Sequence, residues 1–446
     1  MTAEAVIMNK GAVAMAADSA VTLGGGKVFN TANKVFALSK CHPVGLMIYG
    51  NAEFMGVPWE TLVKMFRRWL GRRSCDTVEN YVSLLIEFLR DMVGPDRAFS
   101  EEPQREHFAH GVLGLFHDIR DEIQEEVGEL LARGEEATEK DVEQVCSKVV
   151  RRHHDACKGV PHVHSLTSSS HREIRSGYLA LLKELREHVF QQLPFAPSTT
   201  KLLYDLAASL FTKRPWARSI GNVASGVVIV GYGEAQVFPS LREYAFLGVV
   251  GGHLSFDQMR AIDIGADTHA SILPFAQGRN MMARFMEGVD PDYQRLIENT
   301  LGNVFDKALD QTIDAIDELD AARKECYKRQ AKLAGEQALS NYVGGLAESR
   351  QVYFVGPVMD VVASLPKDEL AEMAESLVNL TSLKMRMSND KETVGGPIDV
   401  AIISKGDGLV WTKRKHYFRP ELNPHFFANY HREDDGDGCE AQAKGG

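Results

Sequence analysis

Cysteine is scarce in this sequence, with six residues among 446, at positions 41, 75, 146, 157, 326 and 439. They are scattered along the chain, and no two of them form a CxxC pair. Secreted domains that depend on disulfides are short and dense in cysteine, so this pattern argues against a disulfide framework. It predicts reduced thiols in a cytosolic protein.

Long apolar runs are also missing. No segment reaches the roughly 18 continuous apolar residues that a membrane helix needs. The first residues lack the basic stretch, apolar run and small-residue cleavage site of a secretory signal. We therefore expect a cytoplasmic protein that does not interact with a membrane.

Positive charge is in deficit, because the formal net charge is -11 at pH 7. Unspecific binding to nucleic acid needs clustered lysine and arginine to neutralise phosphates, so nucleic acid is not an expected partner. A hydrophobic fraction of 44% and a charged fraction of 25% are ordinary for a globular protein. The length of 446 residues is ample for a sizeable core.

Two local patterns resemble ligand sites but lack the required spacing. The stretch HHDACKGVPHVH brings together residue types that can bind zinc, namely His153, His154, Cys157, His162 and His164. Their spacing fits no standard zinc pattern, and we expect a solvated loop there. The run Gly24-Gly25-Gly26-Lys27 lacks the leading glycine and the following Ser/Thr of a phosphate loop, which favours a flexible hairpin. No metal and no cofactor is predicted.

The first ninety residues alternate strand and helix patterns. AVIMNKGAVAMAAD predicts two strands joined by a tight turn at Asn9-Lys10-Gly11, and PVGLMIYG predicts a further buried strand. After Gly50, the segments WETLVKMFRRWL and TVENYVSLLIEFLRDM carry apolar residues at helical spacing. Strands followed by amphipathic helices indicate a sheet covered by a helical layer.

The rest of the chain predicts one β-rich core interrupted by two charged helical insertions. The core is expected in residues 1–94, 222–289 and 346–428, and the insertions in 95–221 and 290–345. Within the last core segment, VYFVGPV is expected to be a strand, followed by a helix at KDELAEMAESLVNLTSLKMRM and by two strands in GGPIDVAIISKGDGLVW. The polar segment 429–446 is expected to be a disordered tail.

Thr2 is the most informative candidate for chemistry. A threonine hydroxyl is a weak nucleophile and needs an adjacent base. If Met1 is removed, Thr2 carries such a base on itself, because a free α-amine has a pKa near 7.7–8.0. A nearby lysine ammonium would keep that amine neutral at working pH, and a carboxylate would position the lysine.

The first fifty residues resemble proteasome β-subunits and the related bacterial heat-shock protease, both N-terminal-nucleophile (Ntn) hydrolases. Thr2 matches the nucleophile of these families. Asp18 lies sixteen residues further on and Lys34 another sixteen, which matches the family spacing of the catalytic Asp and Lys. Gly50 matches the glycine whose N–H stabilises the oxyanion. Each residue alone has a simpler explanation, such as a turn, a solvated loop or close strand packing, and only the combination is specific.

The resemblance implies an α+β fold of the four-layer αββα type, with the two helical insertions added to it. ASILPFAQG would place Ser271 beside the amine of the nucleophile. Asp390 would be the helix-terminal aspartate that hydrogen-bonds the centre, and Thr393 would replace a family serine. The path from Asp390 to Gly395-Gly396 is one residue longer than in the family, and NAEFMG lacks the usual Gly-Asp pair.

The implied activity is that of a threonine-type peptidase acting by acyl transfer. An apolar pocket is expected to favour an uncharged side chain, and its lining would be Val21, Ala32, Phe36, Ile48 and Ala52. The resemblance also implies a peptide or protein substrate, a homo-oligomer that could close into a ring, and an ATPase partner. Two alternatives stay open: an amidohydrolase of the same fold acting on a small molecule, and a catalytically silent structural subunit.

Overall fold

The computed structural model describes residues 3–22, 28–132, 138–214, 224–276, 278–387, 395–416, 418–426 and 428. Antiparallel sheets and helices alternate along the chain, which confirms the α+β class. The strands are β1 Ala3–Asn9, β2 Val13–Ala17, β3 Val21–Thr22, β4 Val28–Phe29, β5 Val35–Ala37, β6 Val44–Gly50, β7 Glu53–Phe54, β8 Val57–Pro58, β9 Ser225–Gly231, β10 Ser240–Val250, β11 His253–Asp263, β12 Ala270–Ala276, β13 Asp399–Ser404 and β14 Gly408–Lys413.

The helices are longest outside the sheet-forming segments. They are α1 Trp59–Leu70, α2 Val78–Asp91, α3 Glu101–Ala132, α4 Glu139–Lys158, α5 Ser168–Gly177, α6 Leu179–Phe190, α7 Pro197–Thr212, α8 Gly278–Glu287, α9 Pro291–Asp314, α10 Ala321–Arg350, α11 Gly356–Ser364 and α12 Lys367–Met387. A short 3₁₀ turn at Pro420–Leu422 follows the last strand.

The first two strands form a hairpin whose turn is fixed by Asn9. The Asn9 side-chain oxygen accepts hydrogen bonds from the N–H groups of Gly11 and Ala12, at 2.9 and 3.1 Å. Its amide nitrogen donates to the carbonyls of Val362 and Leu365 on and just after α11. An asparagine that bonds backbone two residues on is a typical turn former, and this one also attaches the hairpin to a helix.

Two five-stranded sheets carry the fold. The strand order is β12-β1-β2-β13-β14 in the first sheet and β11-β10-β9-β6-β5 in the second. The pairs β3–β4 and β7–β8 form separate two-stranded ribbons. In the first sheet, Ala3 lies opposite Ala276 and Glu4 opposite Ala17, so this register sets what surrounds the start of β1.

Side chains from both sheets meet in one apolar cluster, which includes Val6 and Met15 from the first sheet and Val228 and Val230 from the second. The outer side of the first sheet packs on α8, α11 and α12 through alanine-rich strands. The outer side of the second sheet packs on α1 and α2. Burying a large apolar side chain contributes about 1.5–3 kcal/mol each, so these three clusters supply most of the driving force for folding.

Helices α3–α7 form their own apolar cluster, which reaches the sheet at Leu247 and Val250 of β10. The His107 ring of α3 contacts the Leu247 carbonyl at 2.7 Å. It also lies over Gly248, where a Cβ would approach Nε2 of this ring to 2.1 Å and where φ is +121°. Only glycine fits this position, so it is a fixed docking point between the helices and the sheet.

The segment VYFVGPV is helical, and the prediction of a strand there is wrong. Helix α10 continues through a π-helical turn, Gln351–Val355, directly into α11. Val352, Tyr353 and Phe354 are more than half exposed, so they do not form a buried strand. A short apolar run cannot be assigned to strand or helix from periodicity alone, and here the long helix before it decides the conformation.

The predicted tail, 429–446, lies outside the described residues, as does the run Gly24-Gly25-Gly26-Lys27. Among the helices that the structure describes, none is both long and apolar enough to cross a membrane.

Candidate active site

Asp18 and Lys34 form a buried ion pair at the ends of two strands, one from each sheet. Asp18 follows the last residue of β2, and Lys34 immediately precedes β5. The Lys34 Nζ donates to Asp18 Oδ1 at 2.5 Å, and the two residues are 4% and 1% exposed. Buried charges of this kind are tolerated only when paired, so each residue requires the other.

The carboxylate of Asp18 also holds backbone from two distant parts of the chain. Its Oδ1 accepts from the N–H of Ala3 at 3.1 Å, and its Oδ2 accepts from the N–H of Gly395 at 2.9 Å. The Asp18 N–H in turn donates to the carbonyl of Ala3 at 3.1 Å. The start of β1 and the entry to β13 are therefore joined through one side chain.

Thr2, the expected nucleophile, lies outside the described residues. The next residue, Ala3, is among the described residues. The backbone nitrogen of Ala3 is the atom that joins Thr2 to the rest of the chain, and it is 3.1 Å from Asp18 Oδ1. The buried ion pair is thus in direct contact with the peptide group that follows Thr2.

Glu4 belongs to the same cluster, although the sequence did not suggest it. It is 1% exposed within β1, and its Oε1 lies 3.8 Å from Lys34 Nζ. Val6 and Met8, which lie on the same face of β1 as Glu4, belong to the apolar cluster between the two sheets. The only signal in the sequence is a carboxylate inside an apolar strand. Glu4 thus brings a second carboxyl group close to Lys34 Nζ.

Gly50 is the last residue of β6, and this end of β6 lies beside Lys34. The N–H of Ile48 donates to the Lys34 carbonyl at 3.0 Å, and Gly50 follows two residues later. Its φ is +81°, and a Cβ at this position would lie 2.9 Å from the Ala224 carbonyl oxygen. Both the backbone conformation and the close approach require glycine, and the residue is exposed.

Tyr49, the residue before Gly50, ties this end of β6 to β10 within the second sheet. Its hydroxyl donates a short hydrogen bond to Glu243 Oε1, and Glu243 is fully buried. Arg260 pairs with Glu243 Oε2 at 3.0 Å. The Tyr49 ring leaves no room for a side chain at Gly226, where a Cβ would lie 2.1 Å from the ring. Sequence patterns did not identify this network, because its members are on three different strands.

The structure does not bring Ser271 to this centre. Ser271 lies opposite Met8 in the β1–β12 pair, whereas the residue opposite Ala3 is Ala276. Five residues of strand correspond to about 17 Å at 3.3–3.4 Å per residue. The other two residues expected from the end of α12, Asp390 and Thr393, lie outside the described residues.

The five expected pocket residues separate into two groups. Phe36 and Ile48 are 5% and 4% exposed and belong to the cluster between the second sheet and helices α1 and α2. Val21, Ala32 and Ala52 are half-buried. The structure therefore makes only the second group accessible, and it ties Ala32 to the site through a hydrogen bond from its N–H to the carbonyl of Ser19 at 3.1 Å.

The histidine-rich stretch is largely helical, so the expectation of a loop there is wrong. His153, His154 and Cys157 lie in α4, and Cys157 is buried. Burial raises the pKa of the Cys157 thiol. Among the residues that the structure describes, no group of three or more His, Cys, Asp or Glu side chains could hold a metal ion.

No protein-family model and no curated protein matches the chain. Among solved structures, Anbu (ancestral beta-subunit) from Yersinia bercovieri is 9% identical, with 97% of each chain covered and a TM-score of 0.30. Anbu from Hyphomicrobium sp. strain MC1 is 9% identical, with 98% of each chain covered and a TM-score of 0.27. The helical assembly of the Anbu complex from Pseudomonas aeruginosa is 8% identical, with 99% of this chain and 100% of that chain covered and a TM-score of 0.27.

These matches correct the family prediction. The sequence predicted a resemblance to proteasome β-subunits and the heat-shock protease, but the structures reported above are Anbu proteins, at TM-scores of 0.27 to 0.30. They do not confirm the fold of either predicted family, and the prediction is wrong as it stands. Similarity at this level carries no argument about function. Any functional conclusion has to come from the site itself.

Proposed function

We propose that this protein is a threonine-type amide hydrolase, in which Thr2 becomes the nucleophile once Met1 has been removed. One observation carries the proposal: the Asp18 carboxylate binds both Lys34 Nζ and the backbone nitrogen that follows Thr2. A terminal threonine needs its amine kept neutral and its backbone held still. A buried ammonium and a buried carboxylate at this peptide group meet both needs.

The proposed reaction has two acyl-transfer steps. The Thr2 hydroxyl oxygen attacks the substrate carbonyl carbon while its proton passes to the Thr2 α-amine. That proton then moves to the leaving amine as the C–N bond breaks, which leaves an ester on Thr2. A water molecule, activated by the same amine, hydrolyses the ester and regenerates the hydroxyl.

Lys34, Asp18 and Glu4 have distinct roles in this proposal. The Lys34 ammonium disfavours a second positive charge on the amine, and Asp18 fixes the position of Lys34. Glu4, whose Oε1 is 3.8 Å from Lys34 Nζ, moderates the effect of the ammonium. The Gly50 N–H is the proposed oxyanion donor, a role that typically contributes about 3–4 kcal/mol to transition-state stabilisation.

The proposed substrate is a peptide with an uncharged side chain before the cleaved bond. The support is the apolar character of Val21, Ala32 and Ala52 together with their partial exposure. We further propose that the two sheets and the helices that cover them form the four-layer αββα arrangement expected from the sequence. The cluster shared by both sheets supports this arrangement.

The test is the intact mass of the purified protein before and after treatment with a peptide epoxyketone, a probe that captures a hydroxyl and a free α-amine on one residue. We expect loss of Met1 and a single adduct. Thr2→Ala should give no adduct, and Thr2→Ser, which keeps the hydroxyl, should give one more slowly.

Cleavage of casein, compared with that of small amides, then distinguishes a peptidase from a small-molecule amidohydrolase. Retention of Met1 together with the absence of an adduct would overturn the proposal and leave a non-catalytic role.

A further inference from the structure

Helices α9 and α10 form a long antiparallel hairpin that is mostly exposed. At its base, Arg350 Nη1 donates to Gln294 Oε1 at 2.5 Å. Near its tip, Lys328 Nζ pairs with Asp314 Oδ2 at 2.7 Å. The hairpin is described throughout, and Ile313 is its one buried residue in the two helices. Each helix is stabilised mainly by the other and by few contacts with the rest of the chain.

One side of this hairpin carries exposed apolar residues, and we call it the apolar face. On α10 it contains Tyr327, Ala334, Ala338 and Tyr342, spaced seven, four and four residues apart, which keeps them on one side of a helix. Tyr327 is 50% and Tyr342 47% exposed.

Helix α9 adds Tyr293, Val304 and Ala308 to the apolar face, spaced eleven and four residues apart. Tyr293 is 60% and Val304 56% exposed. Successive residues of a helix are about 100° apart. Measured from the line of contact between the two helices, the residues of the apolar face on α9 and those on α10 point to the same side of the pair. Together they form a continuous strip.

Most charged residues of the hairpin lie on its other side. A groove there is lined by Asp306, Asp310, Glu325, Lys328, Arg329 and Lys332 around Leu309. Charged residues occur at the margins of the apolar face, namely Lys307, Glu348 and Arg323, the last of which pairs with Asp320 at 3.8 Å. Tyrosine is enriched and charged residues are depleted at the centre of protein interfaces, and the apolar face has this composition.

We propose that the apolar face is the contact between two copies of this chain, packed face to face about a two-fold axis. The chain has a net charge of -11, so most pairs of its own surfaces repel each other. A face whose few charged residues lie at its margins weakens that repulsion and can pair with itself, as an isologous interface requires. This inference does not depend on the proposed hydrolase activity.

The dimensions fit a stable dimer. Helix α9 has 24 residues, which corresponds to about 36 Å at 1.5 Å per residue, and two helices side by side are about 20 Å wide. The face therefore covers roughly 700 Å², close to the ~800 Å² per partner of a standard interface. When the two hairpins pack antiparallel, the remaining parts of the two chains lie at opposite ends of the dimer. Val304 lies midway between base and tip, so full overlap places it close to its own copy.

The first test measures mass by light scattering during size exclusion. The wild type is expected as a dimer. Val304→Glu should raise the dissociation constant by roughly 30-fold or more, the effect of a centrally placed hot spot. Leu333→Glu is the matched control, because Leu333 is 63% exposed but lies on the opposite side of α10. It should leave the dimer intact. A wild type that stays monomeric at all concentrations overturns the proposal, and so does an equal effect of the two variants.

A cysteine cross-link tests the geometry without relying on a disruptive variant. In a background with Cys41, Cys326 and Cys439 replaced by serine, Val304→Cys should form a disulfide-linked dimer under mild oxidation. Asp310→Cys, on the charged side, should not. If only Asp310→Cys cross-links, the copies meet through the charged groove. If neither cross-links although the protein is dimeric, the interface lies elsewhere. Either result refutes the proposed face.

Discussion

Asp18 is the residue on which most of the candidate site depends. Its two oxygens accept from Lys34, Ala3, Ala20 and Gly395, and its own N–H is also used. Donors on both oxygens hold the carboxylate in one orientation. The ion pair with Lys34 is therefore fixed in place beside the start of β1.

At this scale we predict the effect of removing Lys34. Lys34→Met should lower the free energy of unfolding by about 3–5 kcal/mol, because it leaves a buried charge without its partner. The double variant Asp18→Asn/Lys34→Met should recover part of that loss, since neither charge remains. Urea denaturation of the two variants and the wild type provides the measurement. A double variant less stable than Lys34→Met would show that Asp18 acts through its backbone bonds and not through the ion pair.

Individual residues show how far the sequence could define the site. The family resemblance implied that Asp18 and Lys34 lie together, and the structure joins them at 2.5 Å. The position of Ser271 depended on a β-sheet register, which the sequence does not specify: β12 pairs with β1 so that Ala276, not Ser271, faces Ala3. Glu4, Tyr49 and Glu243 were missed because a polar residue in a strand reveals its partners only when the sheets are assembled.

The helices α4, α5 and α7 are joined by one half-buried carboxylate. Asp205 of α7 accepts from His171 Nε2 at 3.1 Å and from Arg175 Nη1 at 3.0 Å, and His154 of α4 lies 3.7 Å away. The hydrogen bond from His171 and the neighbouring cations hold the pKa of Asp205 below its ordinary value. The helical insertion thus carries a charge network that depends on pH.

At the scale of these elements we predict acid sensitivity. A carboxylate whose pKa is lowered by folding stabilises the folded state at pH values above its unfolded-state pKa of about 3.8. This stabilisation is lost as the pH falls through the pKa of the folded state. Asp205→Asn should therefore lower the free energy of unfolding by about 1–2 kcal/mol at pH 7. The difference from the wild type should shrink as the pH falls below about 3.8. Thermal unfolding across this range measures it, and a constant difference at all pH values would contradict the assignment.

The prediction of elements was most accurate where periodicity and turn chemistry agreed. The hairpin around Asn9, the helix at Lys367–Met387 and the final strand pair β13–β14 were all predicted. The error at VYFVGPV arose because five apolar residues fit either conformation. The expected loop at His153 and His154 was wrong because α4 runs to Lys158. In both cases the helix is longer than its apolar pattern suggested, and this longer helix determines the local structure.

At the scale of the molecule, the α9–α10 hairpin should be separable from the rest. Replacing residues 296–348 with a short Gly/Ser linker should preserve the folding of the remainder, because Gln294 and Arg350 already lie in contact. We expect unchanged epoxyketone labelling and a monomeric mass. Labelling and light scattering on the same sample check both results. Loss of labelling in a folded, monomeric protein would show that the hairpin supports the site.

The hydrogen bond between Asp18 and Gly395 also determines when the candidate site can form during biosynthesis. These residues are 377 positions apart, and β2 pairs with β13, which is made near the end of translation. At 5–20 residues per second, synthesis from Ala3 to Gly395 takes about 20 to 80 s. During that time the β2 side of the first hairpin has no neighbour, and β1 can pair with β12 only after residues 270–276 have been made. An aminopeptidase has this interval to reach Met1, and the nascent chain cannot acquire an assembled site before its last strands have emerged.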